Sequence, residues 1–377
     1  MANVLDLRRR IRSIKSTRQI TKAMKMVAAA KLRRAQERAL ASRPYVTMME
    51  SVLQSLKRRI EIYDPETGEV RHPLLLTRPE KKVLVLVVSG EGGFAGAFNA
   101  NIIKAATTFI HSRPDQQIDI EAIGRKGRDM LRRRYPAAQY LEAHREAHQE
   151  AHEGEAHEGG EAEEKRGQRG ERTSTVELLD DHFRNILHKI SFDEVRELGR
   201  EIVGRYTREE IDAVYVVYNQ FKSVIQQRVV TERILPIVEI GKQEIAAAEE
   251  MPLEQRQRAA EAAISAGVSL ESGEAEAAAK QAQEEAQRFG TAEIDYIYEQ
   301  DPKELFNAIL PRYVGTLLYH AMVESVAAEF AARMTAMDSA TNNASDLIDH
   351  YTLLMNRVRQ AAITKELIEI VSGAAAL

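Results

Sequence analysis

The chain contains no cysteine and no tryptophan in its 377 residues. Without thiols it can form neither a disulfide framework nor a thiolate metal site. Nowhere do about 18 apolar residues run together, so nothing reads as a membrane-spanning helix. The N-terminus also lacks the apolar stretch, roughly 7–15 residues long, of a secretory signal. It is Arg-rich and acid-poor, as a mitochondrial transit peptide is, but the pattern runs far past transit length. A cytoplasmic chain is the simplest expectation.

The charge is unevenly placed. Residues 1–60 hold sixteen Lys or Arg against three acids (Asp6, Glu37, Glu50), so they carry +13 and the remainder −17 of the chain's −4. A segment this basic suits a large acidic surface, whether nucleic acid, anionic lipid or protein. Nucleic acid is disfavoured, because basic-zipper arms adjoin their zipper in the same helix. Here apolar and basic residues interleave, and the opposing helix lies some 250 residues away.

Residues 3–57 read as one long helix. Leu7, Ile11, Ile14, Thr21, Ala28, Leu32 and Ala35 trace a coiled-coil seam broken by Arg18 and Lys25. Pro44 is expected to bend or interrupt it. The counterpart is 303–372, with a seam at Leu347, Tyr351, Leu354, Val358, Ala361, Lys365 and Ile368. Farther up, Ala321, Ala327, Ala328, Ala331 and Ala332 form a stripe that lets a partner helix approach closely.

Between the helices lies an alternating βα region. Val83–Val88 is an apolar run typical of a strand buried on both faces. Helix is predicted over Asn101–His111, Lys126–Arg134 and Phe192–Tyr206, and strand over Ile118–Ile123, Ala213–Tyr218 and Gln227–Glu232. The alternation predicts a mainly parallel, Rossmann-like sheet with crossover helices. Two stretches interrupt it. Glu142–Arg172 has ten Glu, five basic residues and four His, and reads as a disordered loop. Gln243–Arg288, with 14 Ala, 10 Glu and 6 Gln, reads as a mobile or peripheral helical insertion. The expected organisation is therefore a coiled-coil helix (1–60), an α/β domain (80–240) interrupted at about 142–172, the insertion 243–288, and a second coiled-coil helix (300–377).

Two motifs invite chemistry. Gly90, Gly92 and Ala95 satisfy G-x-G-x-x-A after a buried strand, the pattern of a pyrophosphate-cradling loop. The next strand ends at Ile123-Gly124-Arg125 with no acid to hold a ribose, although an arginine suits a 2′-phosphate. The competing reading is a turn that packs strand against helix. His144, His148 and His152 are spaced to share a helical face, with His157 beyond, but the repetitive Ala/Glu/Gly surroundings favour a solvated tract over a metal site. No Walker lysine loop, HExxH or nucleophile–base arrangement occurs, so no catalytic site, cofactor or metal is expected.

The terminal segments Ile20–Lys31 (ITKAMKMVAAAK) and Asn356–Ala374 (NRVRQAAITKELIEIVSGA) resemble the γ subunit of the rotary F-type ATP synthase. The resemblance covers both ends and much of the middle, but not the two insertions. It implies an antiparallel two-helix shaft with the α/β domain at its base, acting as a non-catalytic central rotor. It further implies an α3β3 catalytic ring, an ε subunit and a membrane c-ring as partners, no nucleic acid and no membrane insertion. The implied place is the cytoplasmic face of a bacterial inner membrane, held peripherally.

Residue by residue, the resemblance places Lys22, Met24 and Lys25 against acidic loops of the β subunits, where positive charge is complementary. It counts Arg333, in the shaft, among the β-subunit contacts too, with Arg359, Gln360, Thr364 and Glu366 in the segment that contacts the ring near the shaft's tip. Tyr296, Tyr298 and Glu299 match a Tyr-x-Tyr-Glu segment at the foot on the c-ring. The glycine-rich loop lacks the Asp and Cys common in the family. The alternatives are a coiled-coil scaffold with an α/β head, and a dinucleotide-dependent enzyme.

Overall fold

The computed structural model describes residues 4–60, 72–139, 172–179, 186–187, 189–238, 240–241, 244–268 and 298–375. Helix α1 runs unbroken over Val4–Arg59. Pro44 lies inside it without interrupting it, and Pro311 likewise lies inside the final helix. Each proline removes one backbone donor, a local cost that burial of the surrounding turns outweighs.

The sheet has six strands: β1 (Lys82–Val88), β2 (Gln117–Ile123), β3 (Val176–Leu178), β4 (Ala213–Phe221), β5 (Gln227–Leu235) and β6 (Glu244–Glu250). Their order is β3-β2-β1-β4-β5-β6. The first four are parallel and the last two are added antiparallel. The helices are α2 (Phe98–His111), α3 (Arg125–Leu131), α4 (Phe192–Thr207), α5 (Leu253–Ala266) and α6 (Pro302–Ala375).

Strand alternation divides the apolar interior in two. Val83, Val85 and Val87 join Ile102, Ile103 and Ala106 of α2, in a cluster that continues to the alanines of the shaft. Leu84, Leu86 and Val88 join Leu198 and Ile202 of α4, Leu53 and Leu56 of α1, and Leu310 and Leu317 of α6. Successive side chains of a strand point to opposite faces, so β1 is apolar throughout because both faces are covered. The feet of both long helices therefore sit on the head, and their upper parts leave it as a shaft.

The 243–288 stretch departs from the expected peripheral helix. Glu244–Glu250 forms strand β6, paired from Arg228↔Glu250 to Arg233↔Glu244. Leu253–Ala266 is helical, but Ala259, Ala262 and Ala263 are buried in the same cluster as the shaft. The open edge of β5 overrode the helix propensity of the Glu/Ala run, since tertiary pairing outweighs tenths of a kcal/mol per residue. Residues 269–288, and nearly all of 142–172, lie outside the described residues, as do His144, His148, His152 and His157.

Candidate partner-contact surfaces

The antiparallel register of the shaft is read from its side-chain ties. Lys25 Nζ meets Asp338 Oδ1 at 2.7 Å, Thr341 Oγ1 donates to Thr21 Oγ1 at 2.8 Å, and Arg18 reaches Ser345 Oγ at 3.5 Å. Lower down, Ser42 lies 3.4 Å from His320 Nδ1, and Tyr313 donates to Glu50 at 3.2 Å. Every step toward the N-terminus on α1 is thus one step toward the C-terminus on α6.

The α1 seam is as its spacing predicts: Leu7, Ile11, Thr21, Ala28, Leu32 and Ala35 are all buried, and Ile14 half so. On α6, Ala321, Ala327, Ala328 and Ala331 are buried. The upper α6 seam follows the expected one only in part, at half-buried Tyr351, Leu354 and Val358. Ala344 and Ile348 face inward while Leu347 is 46% exposed, and Ala361, Lys365 and Ile368 are exposed. A helix of 3.6 residues per turn drifts against a 3.5 repeat, and above about residue 359 no described residue of α1 lies opposite. Among the described residues the last 16 or so of α6 therefore project alone, roughly 24 Å at 1.5 Å per residue.

That overhang carries Arg359, Gln360, Thr364 and Glu366, all exposed. The Thr364 hydroxyl donates back to the Gln360 carbonyl at 3.0 Å. Among them stand Ile363, Leu367, Ile368, Ile370 and Val371, between 49% and 67% exposed. Lys22 is exposed and Met24 half-buried on α1.

Two residues assigned to the β-subunit contact turn inward instead. Lys25 is 8% exposed, its ammonium shared between Asp338 and Ser265 Oγ at 2.8 Å. Arg333 pairs with Glu329 and donates to the Gly93 carbonyl at 3.1 Å. Both charges are spent within the chain, since a buried charge requires a local partner.

The foot is a third, separate place. Tyr298 is half-buried with the Arg59 guanidinium 5.1 Å from its ring centre, and Glu299 is exposed. Tyr296 lies outside the described residues.

The glycine-rich loop is filled from within. The Gly90 amide donates to Asn99 Oδ1 at 2.8 Å and the Gly92 amide to Glu329 Oε1 at 3.3 Å. A Cβ at Gly90 would lie 2.8 Å from the Glu329 carboxyl carbon. A carboxylate thus stands where a pyrophosphate would have to sit, and the loop packs the head against α6. Ser89 completes the packing: its hydroxyl accepts from the Gly127 amide at 2.9 Å. A Cβ at Gly124, whose φ is +97°, would strike the Ser89 carbonyl oxygen at 2.3 Å.

Sequence reasoning missed a buried polar cluster where the shaft meets the head. The Tyr218 hydroxyl donates to Glu232 Oε2 at 2.9 Å, and His320 Nε2 lies 3.2 Å from Glu324 Oε1. Burial raises the Glu232 carboxyl to about 7; the Tyr218 hydrogen bond and His320 oppose the rise, and Glu324 adds to it. Burial also raises Glu50. The available signal was Glu232 in period-two alternation with Val230 and Ile234, on the face of the strand that the head buries.

Among the described residues no group of His, Asp or Glu is arranged to hold a metal ion, and no helix is long and apolar enough to cross a membrane.

A protein-family model described as ATP synthase matches residues 3–377. The ATP synthase gamma chain of Solibacter usitatus is 39% identical over 376 aligned positions, covering 100% of this chain and 99% of that one. That of Pelotomaculum thermopropionicum is 35% identical over 378, covering all of both chains. That of Chloroherpeton thalassium is 34% identical over 383, covering 100% and 99%. Matched end to end by the family model and by these relatives, the chain belongs to the ATP synthase gamma chain family.

Proposed function

We propose that this chain is the central rotor shaft of an F-type ATP synthase and has no catalytic site of its own. Its foot, with Tyr298 and Glu299, seats on the c-ring and takes up ion-driven rotation. Its upper shaft stands inside the α3β3 ring, and an ε subunit accompanies the head. The complex lies at the cytoplasmic face of a bacterial inner membrane, where this chain is peripheral. Because the shaft is asymmetric, each angle presents a different face to each β subunit. A shaft that met all three states equally would shift none of them, so unequal contact is the mechanism.

The observation that carries this reading is the single-helix overhang of α6. It exposes five large aliphatic side chains among polar ones, at the end of a helix that has no partner there among the described residues. Lys22 and Met24 supply the contact lower down. Lys25 and Arg333 act inside the chain, holding the two helices and the head in register.

The test is alanine at both Arg359 and Gln360 in a purified, fully assembled complex. Charge-assisted hydrogen bonds of about 1.5–3 kcal/mol would be lost. Steady-state ATP hydrolysis is expected to fall by about one to two powers of ten, with assembly yield unchanged. Turnover near that of the parent would make both residues passive surface.

A further inference from the structure

At the neck of the shaft the head grips α6 directly. Ser325 Oγ donates to the Val88 carbonyl at 3.2 Å, Glu329 accepts from the Gly92 amide and Arg333 donates to the Gly93 carbonyl. None of these ties touches α1. Lower down α1 has its own hold on the head, through buried Met49, Leu53 and Leu56 and the Gln54 amide donating to the Ile240 carbonyl at 3.1 Å. Between about Lys25 and Arg33 the polar ties from α1 to anything other than α6 run, among the described residues, to one place. Lys25 meets Ser265 at the end of α5, and Arg33 donates to the carbonyl of Gly267 just beyond it.

The same segment is anchored in the sheet at its other end. Strand β6 pairs with β5, and its carboxylates meet cations of neighbouring elements. Glu244 pairs with Arg233, Glu249 with Lys104 of α2 at 2.8 Å, and Glu250 with Arg256 at 2.6 Å. The turn after α5 is closed by Gly267 in the left-handed region (φ +64°), which aims its carbonyl outward to Arg33. Ala259, Ala262, Ala263 and Val268 are buried with Ala28, Leu32, Ala331 and Met334. The neck is therefore a three-helix bundle over this span, its third helix tethered to the edge of the head.

We propose that Glu244–Val268 is a torsion strap, joining the sheet edge to α1 at the neck so that both helices of the shaft, and not α6 alone, are held to the head. Twist entering at the foot would otherwise be absorbed by α1 sliding and rotating against α6 above its own anchor. Small alanine contacts permit close approach, and the Lys25–Asp338–Ser265 and Arg33–Gly267 ties fix the register. The proposal rests on the rotor reading for its purpose, but the mechanical claim concerns this chain alone.

The experiment uses the assembled complex with two variants. Ala262→Glu places a carboxylate in the buried face of α5, and Ser265→Ala with Arg33→Ala removes only the polar ties. Hydrogen exchange of α1 residues 25–35 is expected to quicken about tenfold or more in Ala262→Glu, and less in the double variant. Exchange in α1 residues 49–56, held by the head directly, stays as in the parent. The angular spread of a probe on the head, with the ring fixed to a surface, widens in both variants. Parental exchange at 25–35 together with a parental angular spread overturns the strap. Failure of the unmodified chain to join a catalytic ring would sink the rotor reading instead, and the exchange comparison on the chain itself would still decide the strap. Should Ala262→Glu fail to assemble, the double variant decides alone by the same two readouts.

Discussion

Glu232 is 3% exposed on β5, facing Tyr218 of β4 and the His320 and Glu324 side chains of α6. Its carboxyl is raised from an ordinary value near 4.5 to about 7, chiefly by burial. In that window the folded chain holds a proton that the unfolded chain has released. The group's contribution to stability is fully present below the lower value, is lost as pH rises through the upper one, and is flat above it. The total is about 3 kcal/mol if Glu232 acts alone. Melting temperature is therefore expected to fall between about pH 5 and pH 8, with Glu232→Gln removing much of the slope. Glu50, also raised by burial, keeps part of it. Thermal melts across that range check this, and equal slopes in parent and variant would refute it. The family resemblance gave Lys25 and Arg333 an outward role, as contacts of the β subunits. What reversed them was Asp338, some 310 residues from Lys25, and Glu329, one turn before Arg333. Only the register of α1 on α6 could pair the first, and only the glycine loop's position explains the second.

Where α4 crosses α6, two glycines meet. A Cβ on Gly199 would lie 3.0 Å from the Gly315 Cα and 3.3 Å from its nitrogen, backbone atoms that cannot swing away. A Cβ on Gly315 would lie 3.6 Å from the Arg196 Cα, an ordinary contact. The two alanine variants should therefore differ in sign. Gly199→Ala forces the helices apart at a cost of about 1–3 kcal/mol, whereas Gly315→Ala keeps most of the helix-propensity gain of about 1 kcal/mol. Denaturant midpoints of both measure this, and equal destabilisation would mean the crossing is looser than described. Elements of this kind were legible wherever one periodicity ran uninterrupted. Val83–Val88, the α1 seam and the alternating βα order were readable because burial on both faces, or on one stripe, dictates residue type. The β6–α5 segment was not, because its Ala/Glu composition favours helix locally. Only the unpaired edge of β5, a property of another strand, makes Glu244–Glu250 extended. Upper α6 was misphased for a related reason: Leu347 keeps the heptad on paper, but the helix drifts, and Ile348 takes the inward place.

At the scale of the molecule, charge and shape are distributed together. The basic excess lies in residues 1–60, and above the neck it covers the outer face of α1. Arg8, Arg10, Arg12, Lys15 and Lys22 are exposed there and, among the described residues, make no ion pair within the chain. Asp6, exposed itself, lies 3.9 Å from Arg9. These cations do not hold the shaft together, since its seam is apolar and its polar ties use Arg18, Lys25 and Thr21. Their mutual repulsion along one helix is a cost that an acidic surrounding surface would relieve. Such charges act at long range, so in the rotor role proposed above their effect belongs to the encounter with the ring more than to the final packed contact. The association rate of purified chain with a preformed ring should then fall about tenfold or more as salt rises from roughly 0.05 to 0.5 M, because the screening length shrinks below the distance over which steering operates. Reversing Arg8, Arg10 and Arg12 to glutamate should flatten that dependence and leave the fold intact, since none is buried. The check is stopped-flow association at several ionic strengths for both chains. A parent rate indifferent to salt would assign the basic face to solubility, and the entry of the shaft would then rest on the apolar overhang of α6 alone.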